Sequence, residues 1–119
     1  MDKELALVIE DDEDLSTIFS EAVQAAGFNT KVIEDGKSAQ ALLRELTPSV
    51  VVLDMHLPHV SGEDLYEQIR NDERLADTIV IIATADARIS EVYRESADFV
   101  LIKPIAFTQL RDLTARLKR

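Results

Sequence analysis

Four apolar runs punctuate the chain, and each stops at a polar residue: Leu5–Ile9 at Glu10, Val50–Leu53 at Asp54, Ile79–Ala83 at Thr84, and Phe99–Ile102 at Lys103. The run Val50-Val51-Val52-Leu53 is β-branched and lacks polar alternation, which predicts a strand buried on both faces. Pro58 has no N–H and Gly62 favours a turn, so the strand gives way to a loop just after Asp54. Phe28–Ile33 predicts a further, weaker strand. Between these runs the apolar spacing changes to three and four, which predicts helices. One carries Leu15, Ile18, Phe19, Ala22, Val23 and Ala26, with Gly27 as its C-terminal cap. A turn at Asp35-Gly36 precedes a second, marked by Ala39, Leu42, Leu43 and Leu46. Ser61-x-x-Asp64 resembles a capping box opening a third, with Leu65, Tyr66 and Ile69 on its apolar side. Ile89, Val92 and Tyr93 mark a short fourth helix, and Leu110, Leu113 and Leu117 a fifth.

Strand and helix alternate throughout, so the connections are βαβ crossovers and the sheet is parallel, with helices on both faces. The weaker second strand suits an edge. A single domain is expected over residues 1–119, with no repeat and no internal linker. In such a sheet all strand ends lie on one rim, where ligands bind. That rim gathers Glu10, Asp11, Asp54, Thr84 and Lys103. A simpler reading makes Asp54 a turn cap, and gives Asp12, Glu13 and Asp14 to the dipole of the first helix. For Glu13 and Asp14 the dipole is sufficient.

The 119 residues are 46% hydrophobic and 30% charged, within the ordinary range for a globular domain. There is no cysteine, hence no disulfide framework and no thiolate metal site. No apolar run nears the ~20 residues of a membrane span, and Met1-Asp2-Lys3-Glu4 is not a signal peptide. These features fit a cytoplasmic protein. The formal net charge of −10 argues against nucleic-acid binding by this domain and against an anionic membrane surface.

Three clustered carboxylates repel, and one lysine cannot balance them. A hard divalent cation such as Mg²⁺ does so, because it takes carboxylate oxygens and keeps several waters. Lys103 and those waters leave room for an anionic ligand, most simply a phosphoryl group. An ionised aspartate is already a nucleophile, and aspartyl phosphate is an established covalent strategy. Rival sites fit less well. The three glycines, Gly27, Gly36 and Gly62, make neither a Walker A loop nor G-x-G-x-x-G. A flavin mononucleotide phosphate would meet repulsion from Glu10-Asp11-Asp12. Aspartyl phosphatases usually carry a second Asp two residues on, where this chain has His56. Two histidines without cysteine make a zinc site a poor fit.

These residues resemble the receiver domains of two-component response regulators along the whole chain. The resemblance rests on the acids in Leu7-Val8-Ile9-Glu10-Asp11-Asp12 and on Val52-Leu53-Asp54-Met55-His56-Leu57-Pro58 followed by Gly62. It rests also on Ala83-Thr84-Ala85 and on Lys103-Pro104. It implies a flavodoxin-like (βα)5 fold with strand order 2-1-3-4-5. It implies that Asp54 accepts a phosphoryl group from a phosphohistidine on a sensor histidine kinase or phosphotransfer protein. Asp11, Glu10, Asp54 and the backbone carbonyl of His56 are the implied Mg²⁺ ligands, with Glu10 acting directly or through water. Lys103 and Thr84 are the implied phosphoryl-binding and switch residues. Asp12 and Ala85 lie beside the site, Asp12 more as cap than ligand.

Four departures from the family pattern fall on the face of the fourth helix, fifth strand and fifth helix, which in the family usually meets an output domain, a partner or a second copy. Val100 stands where an aromatic is frequent. The connection from Thr84 to Lys103 is short by most of a helical turn. Glu95-Ser96-Ala97-Asp98 replaces a glycine-bearing turn, and Ile105 replaces a phenylalanine. The alternative role is an interaction module that works without phosphorylation. A third reading, a phosphatase acting on free substrates, lacks any segment to cap a substrate.

Overall fold

Four of the five strands grow from the apolar runs, and the remaining one from the weaker stretch after Phe28. The computed structural model describes residues 4–118, so Met1–Lys3 and Arg119 lie outside the described residues. The strands are β1 (Leu5–Ile9), β2 (Asn29–Ile33), β3 (Val50–Asp54), β4 (Ile79–Thr84) and β5 (Phe99–Ile102). The helices are α1 (Glu13–Ala25), α2 (Gly36–Leu43), α3 (Gly62–Arg70), α4 (Ala87–Tyr93) and α5 (Phe107–Arg116). The sheet is parallel throughout, in the order β2-β1-β3-β4-β5. The expected fold and the edge position of the second strand are therefore observed.

Side chains alternate between the two faces of each strand, and the core divides accordingly. Leu7, Ile9, Val51, Leu53, Val80 and Ile82 face α2 and α3. Ala6, Val8, Val50, Val52, Ile81 and Ala83 face α1 and α5, where Phe19, Val23 and Leu110 meet them. All five residues of β3 are buried, as its β-branched run predicts. β2 and β5, at the edges, are mostly half-buried or exposed.

The capping expectations hold at two helices. Asp12 accepts a hydrogen bond from the Leu15 N–H at 2.9 Å, and Gly27 follows α1 with φ +104°. Ser61 Oγ accepts from the Asp64 N–H at 3.1 Å. Asp35-Gly36 differs from its expected role as a separate turn. Asp35 is the N-cap of α2, accepting from the Ser38 N–H at 2.8 Å, and Gly36 is the first helical residue. Leu46 lies past the end of α2 and packs on the core from the following loop. Phe28 is buried but precedes β2. A 3-10 turn at Glu73–Leu75 has no counterpart in the sequence reading. The short fourth helix is as expected: α4 has seven residues, none of them buried. No helix among the described residues is long and apolar enough to cross a membrane.

Candidate functional site

The parallel register brings the predicted polar residues to one end of the sheet. Asp54 is the last residue of β3 and Thr84 the last of β4, while Glu10 and Lys103 directly follow β1 and β5. Glu10, Asp54 and Thr84 are buried, and Asp11 is exposed. One carboxylate oxygen each from Glu10, Asp11 and Asp54 lies within 4.8 Å of the others.

Lys103 bridges the two buried acids. Its Nζ is 2.8 Å from Glu10 Oε1 and 3.4 Å from Asp54 Oδ1. The shorter contact, with Glu10 Oε1, is a close ion pair inside the domain. Glu10 Oε2 accepts from the Asp12 N–H at 3.2 Å. Burial, and then the hydrogen-bonding approach of the Asp54 carboxyl, push the Glu10 pKa up despite Lys103. Burial alone would depress the Lys103 ammonium; its contact with Glu10 and the Asp54 charge outweigh that and raise its pKa. Two acids facing one base explain why both partners shift upward.

Asp54 Oδ1 also accepts from the His56 N–H at 3.1 Å. The turn-cap reading of Asp54 is thus true as well: the side chain closes an Asx-type turn while facing the acid cluster. His56 is exposed at the start of the β3–α3 loop, and Asp12 is exposed at the cap of α1. Thr84 Oγ1 accepts from the Asp86 N–H at 3.0 Å, and Ala85 is exposed between them.

The sequence reading missed two features that hold the site in place. A Cβ on Gly62 would stand 2.6 Å from the Asp54 carbonyl oxygen and from Met55 Cα, so α3 begins directly against the end of β3. The Gly36 N–H donates to the Pro58 carbonyl at 3.2 Å, tying α2 to the β3–α3 loop. Glycine itself is a signal for close backbone approach, but the sequence does not say what approaches.

The donor set fits Mg²⁺. It is all carboxylate oxygen, close enough to share an ion, with an exposed member to leave water on it, and one lysine offsets only part of its charge.

Comparison with known proteins agrees with this geometry. A family model described as the response regulator receiver domain matches residues 6–115. The DNA-binding dual master transcriptional regulator RpaA of Synechocystis is 33% identical over 115 residues, covering 94% of this chain and 46% of its own. The chain spans about half the length of the curated relatives it matches first. Among solved structures, the bacteriophytochrome response regulator RtBRR superposes with a TM-score of 0.82 at 27% identity, covering 98% of this chain and 78% of its own. The receiver domain of the sensor histidine kinase PA1611 from Pseudomonas aeruginosa, described with a magnesium ion in its active-site cleft, superposes at 0.85. At 20% identity, over 97% of both chains, that likeness concerns the fold.

Proposed function

The chain belongs to the response regulator receiver domain family, and from that premise we propose that Asp54 is its phosphoacceptor. The observation that carries the proposal is the cluster of Glu10, Asp11 and Asp54 oxygens within 4.8 Å, with Lys103 bridging two of them. The donor is a phosphohistidine on a sensor histidine kinase or phosphotransfer protein. An Asp54 oxygen attacks phosphorus, the N–P bond breaks, and its electron pair returns to the imidazole. Asp54 needs no general base, because the attacking group is already a carboxylate. The His56 N–H and Lys103 hold Oδ1 and so fix the plane of the carboxylate.

Asp11, Glu10, Asp54 and the His56 carbonyl hold Mg²⁺ in this reading. The ion, when bound, offsets the negative charge of the acids and of the incoming phosphoryl oxygens. Asp11 is the principal ligand, since both Glu10 oxygens are already engaged, one by Lys103 and one by the Asp12 N–H. Lys103 then exchanges a carboxylate for a phosphoryl oxygen, and Thr84 turns its hydroxyl to another. Asp12 remains the cap of α1. The phosphorylated domain signals to a partner or an output domain; direct contact with nucleic acid is not part of the role, given the charge of −10.

Treatment with a small phosphodonor and Mg²⁺, followed by intact mass, tests this. The wild type gains one phosphoryl group and Asp54→Asn does not, apart from slow transfer to a neighbouring carboxylate. Wild-type rates in Asp54→Asn would overturn the assignment. No gain in the wild type would favour an interaction module independent of phosphorylation.

A further inference from the structure

A groove of about 440 Å³ runs between the first turn of α3 and α4. Ile89, Val92 and Tyr93 give it an apolar floor, and Glu63, Asp86 and Arg88 line its sides. Val92 is 72% exposed, the most open large apolar side chain among the described residues. Ile89 and Tyr93 pack against the core but are only partly buried, so α4 leaves apolar surface open beside Val92.

We propose that this groove docks a basic amphipathic segment of a partner protein. Its apolar side chains sit on Ile89, Val92 and Tyr93, and its lysines or arginines face Glu63 and Asp86. The volume accommodates a few side chains. The floor is held in place beforehand: Tyr93 packs edge-on against Tyr66, centroids 5.1 Å apart, and the Tyr66 hydroxyl donates to the Ser96 carbonyl at 2.8 Å. A site already ordered loses less entropy when occupied.

Charge selects the occupant. Glu63 lines the groove beside Tyr93, whose phenol pKa is raised by burial and then by the Glu63 and Glu67 charges. Arg88 is the lone base in the lining; it leans on Asp86 at 3.7 Å and its side chain is 93% exposed, free to leave. A second copy of this chain would set acid against acid at a net charge of −10 each. The groove lies on the α3 side of α4. The expected partner face, on the β5 side, displays Ile102, 47% exposed.

The test needs no phosphorylation, so it is independent of the role of Asp54. Isotope-labelled protein is titrated at physiological ionic strength with a helical Leu/Lys peptide and with its Leu/Glu counterpart. At this ionic strength attraction to acids far from the groove is screened beyond about 8 Å, while charges in contact still discriminate. With the Leu/Lys peptide, NMR shifts should concentrate at residues 63–67 and 87–93, and the Leu/Glu peptide should leave them unchanged. Val92→Ser, at an exposed position that does not threaten folding, should weaken binding about tenfold, the loss expected for one truncated apolar anchor. Ile102→Ser should not. The proposal is overturned if neither peptide binds, if both bind alike, or if shifts centre on Asp11–Asp14 or β5. It is equally overturned if Ile102→Ser matches Val92→Ser.

Discussion

Thr84 Oγ1 accepts the Asp86 N–H at 3.0 Å, and the Thr84 carbonyl accepts the Lys103 N–H at 2.8 Å. One residue therefore ties the cap of α4 to the residue that follows β5. Asp86 in turn caps α4, accepting from the Arg88 N–H at 2.8 Å. A Thr84 hydroxyl that turns to a phosphoryl oxygen releases the Asp86 N–H, at the start of a short helix whose residues are at most partly buried. This differential contact can shift a two-state equilibrium.

The first prediction is that a phosphoryl mimic moves the backbone of residues 84–88 and α4 without an aromatic ring swinging inward. Val100 packs on the α4 side of the sheet with Ile89 and Tyr93, whereas Phe99 packs on the α1–α5 side. Phe99 cannot replace the missing ring, and Val100 is small and stiff at χ1. NMR shifts with and without the mimic decide it. Large changes at the Phe99 or Tyr93 rings beside a quiet 84–88 backbone would sink the idea.

Glu10 gives the second prediction. Its pKa lies above the ordinary 4.5 in the folded protein. The folded state thus holds this proton more tightly than the unfolded state. The resulting stability is fully present below pH 4.5 and is lost as pH rises through the folded value. Glu10→Gln cannot titrate. In metal-free buffer the wild type should lose stability relative to Glu10→Gln as pH rises from 4.5 to neutral. Mg²⁺ should restore the wild type more than the variant, because it favours the charged carboxylate. Urea unfolding of both proteins across this range checks it; parallel pH curves, or a Gln variant that falls faster, would contradict it. The Lys103 shift acts in another window: its pKa is raised, so its contribution is present below 10.5 and is lost as pH climbs through the folded value.

Gly62→Ala is predicted to destabilise the domain and slow its phosphorylation. Alanine at a helical position gains about 1 kcal/mol over glycine by propensity. Against that, the new Cβ meets the backbone of Asp54 and Met55 at 2.6 Å, and no rotamer change relieves a backbone clash. Overpacking of this kind costs about 1–3 kcal/mol, so the clash should win. A more stable Gly62→Ala protein by urea unfolding would show that the β3–α3 loop yields easily.

Four of the strands, and the gathering of the rim residues, were legible for one reason. Runs such as Val50–Leu53 are buried on both faces, so burial appears as unbroken apolar sequence, and a parallel sheet then puts Glu10, Asp54, Thr84 and Lys103 on one rim. The fastenings were not legible, because their partners are distant in sequence. Tyr66 and Ser96 stand 30 residues apart, and Arg70 and Asp98 stand 28 apart. No periodicity records such pairs. Asp35 was local but ambiguous, since Asp-Gly serves a turn and a helix cap equally well.

Asp98, in the segment that replaces the family's glycine-bearing turn, carries the last prediction. Its Oδ2 accepts the Arg70 guanidinium at 2.7 Å and the Val80 N–H at 2.8 Å. These two contacts have different weights. The ion pair is open to solvent, with side chains 27% and 41% exposed, so screening leaves it about 0–1 kcal/mol. The Val80 residue is fully buried, and an unpaired buried N–H costs about 1–3 kcal/mol. Asp98→Asn keeps an acceptor for Val80 and loses only the screened charge. Asp98→Ala loses both, and frees the segment that joins α4 to β5. Urea unfolding should therefore rank Asp98→Ala well below Asp98→Asn. Equal losses for Asn and Ala would mean that the charge, rather than the backbone hydrogen bond, holds the start of β4 to the turn before β5.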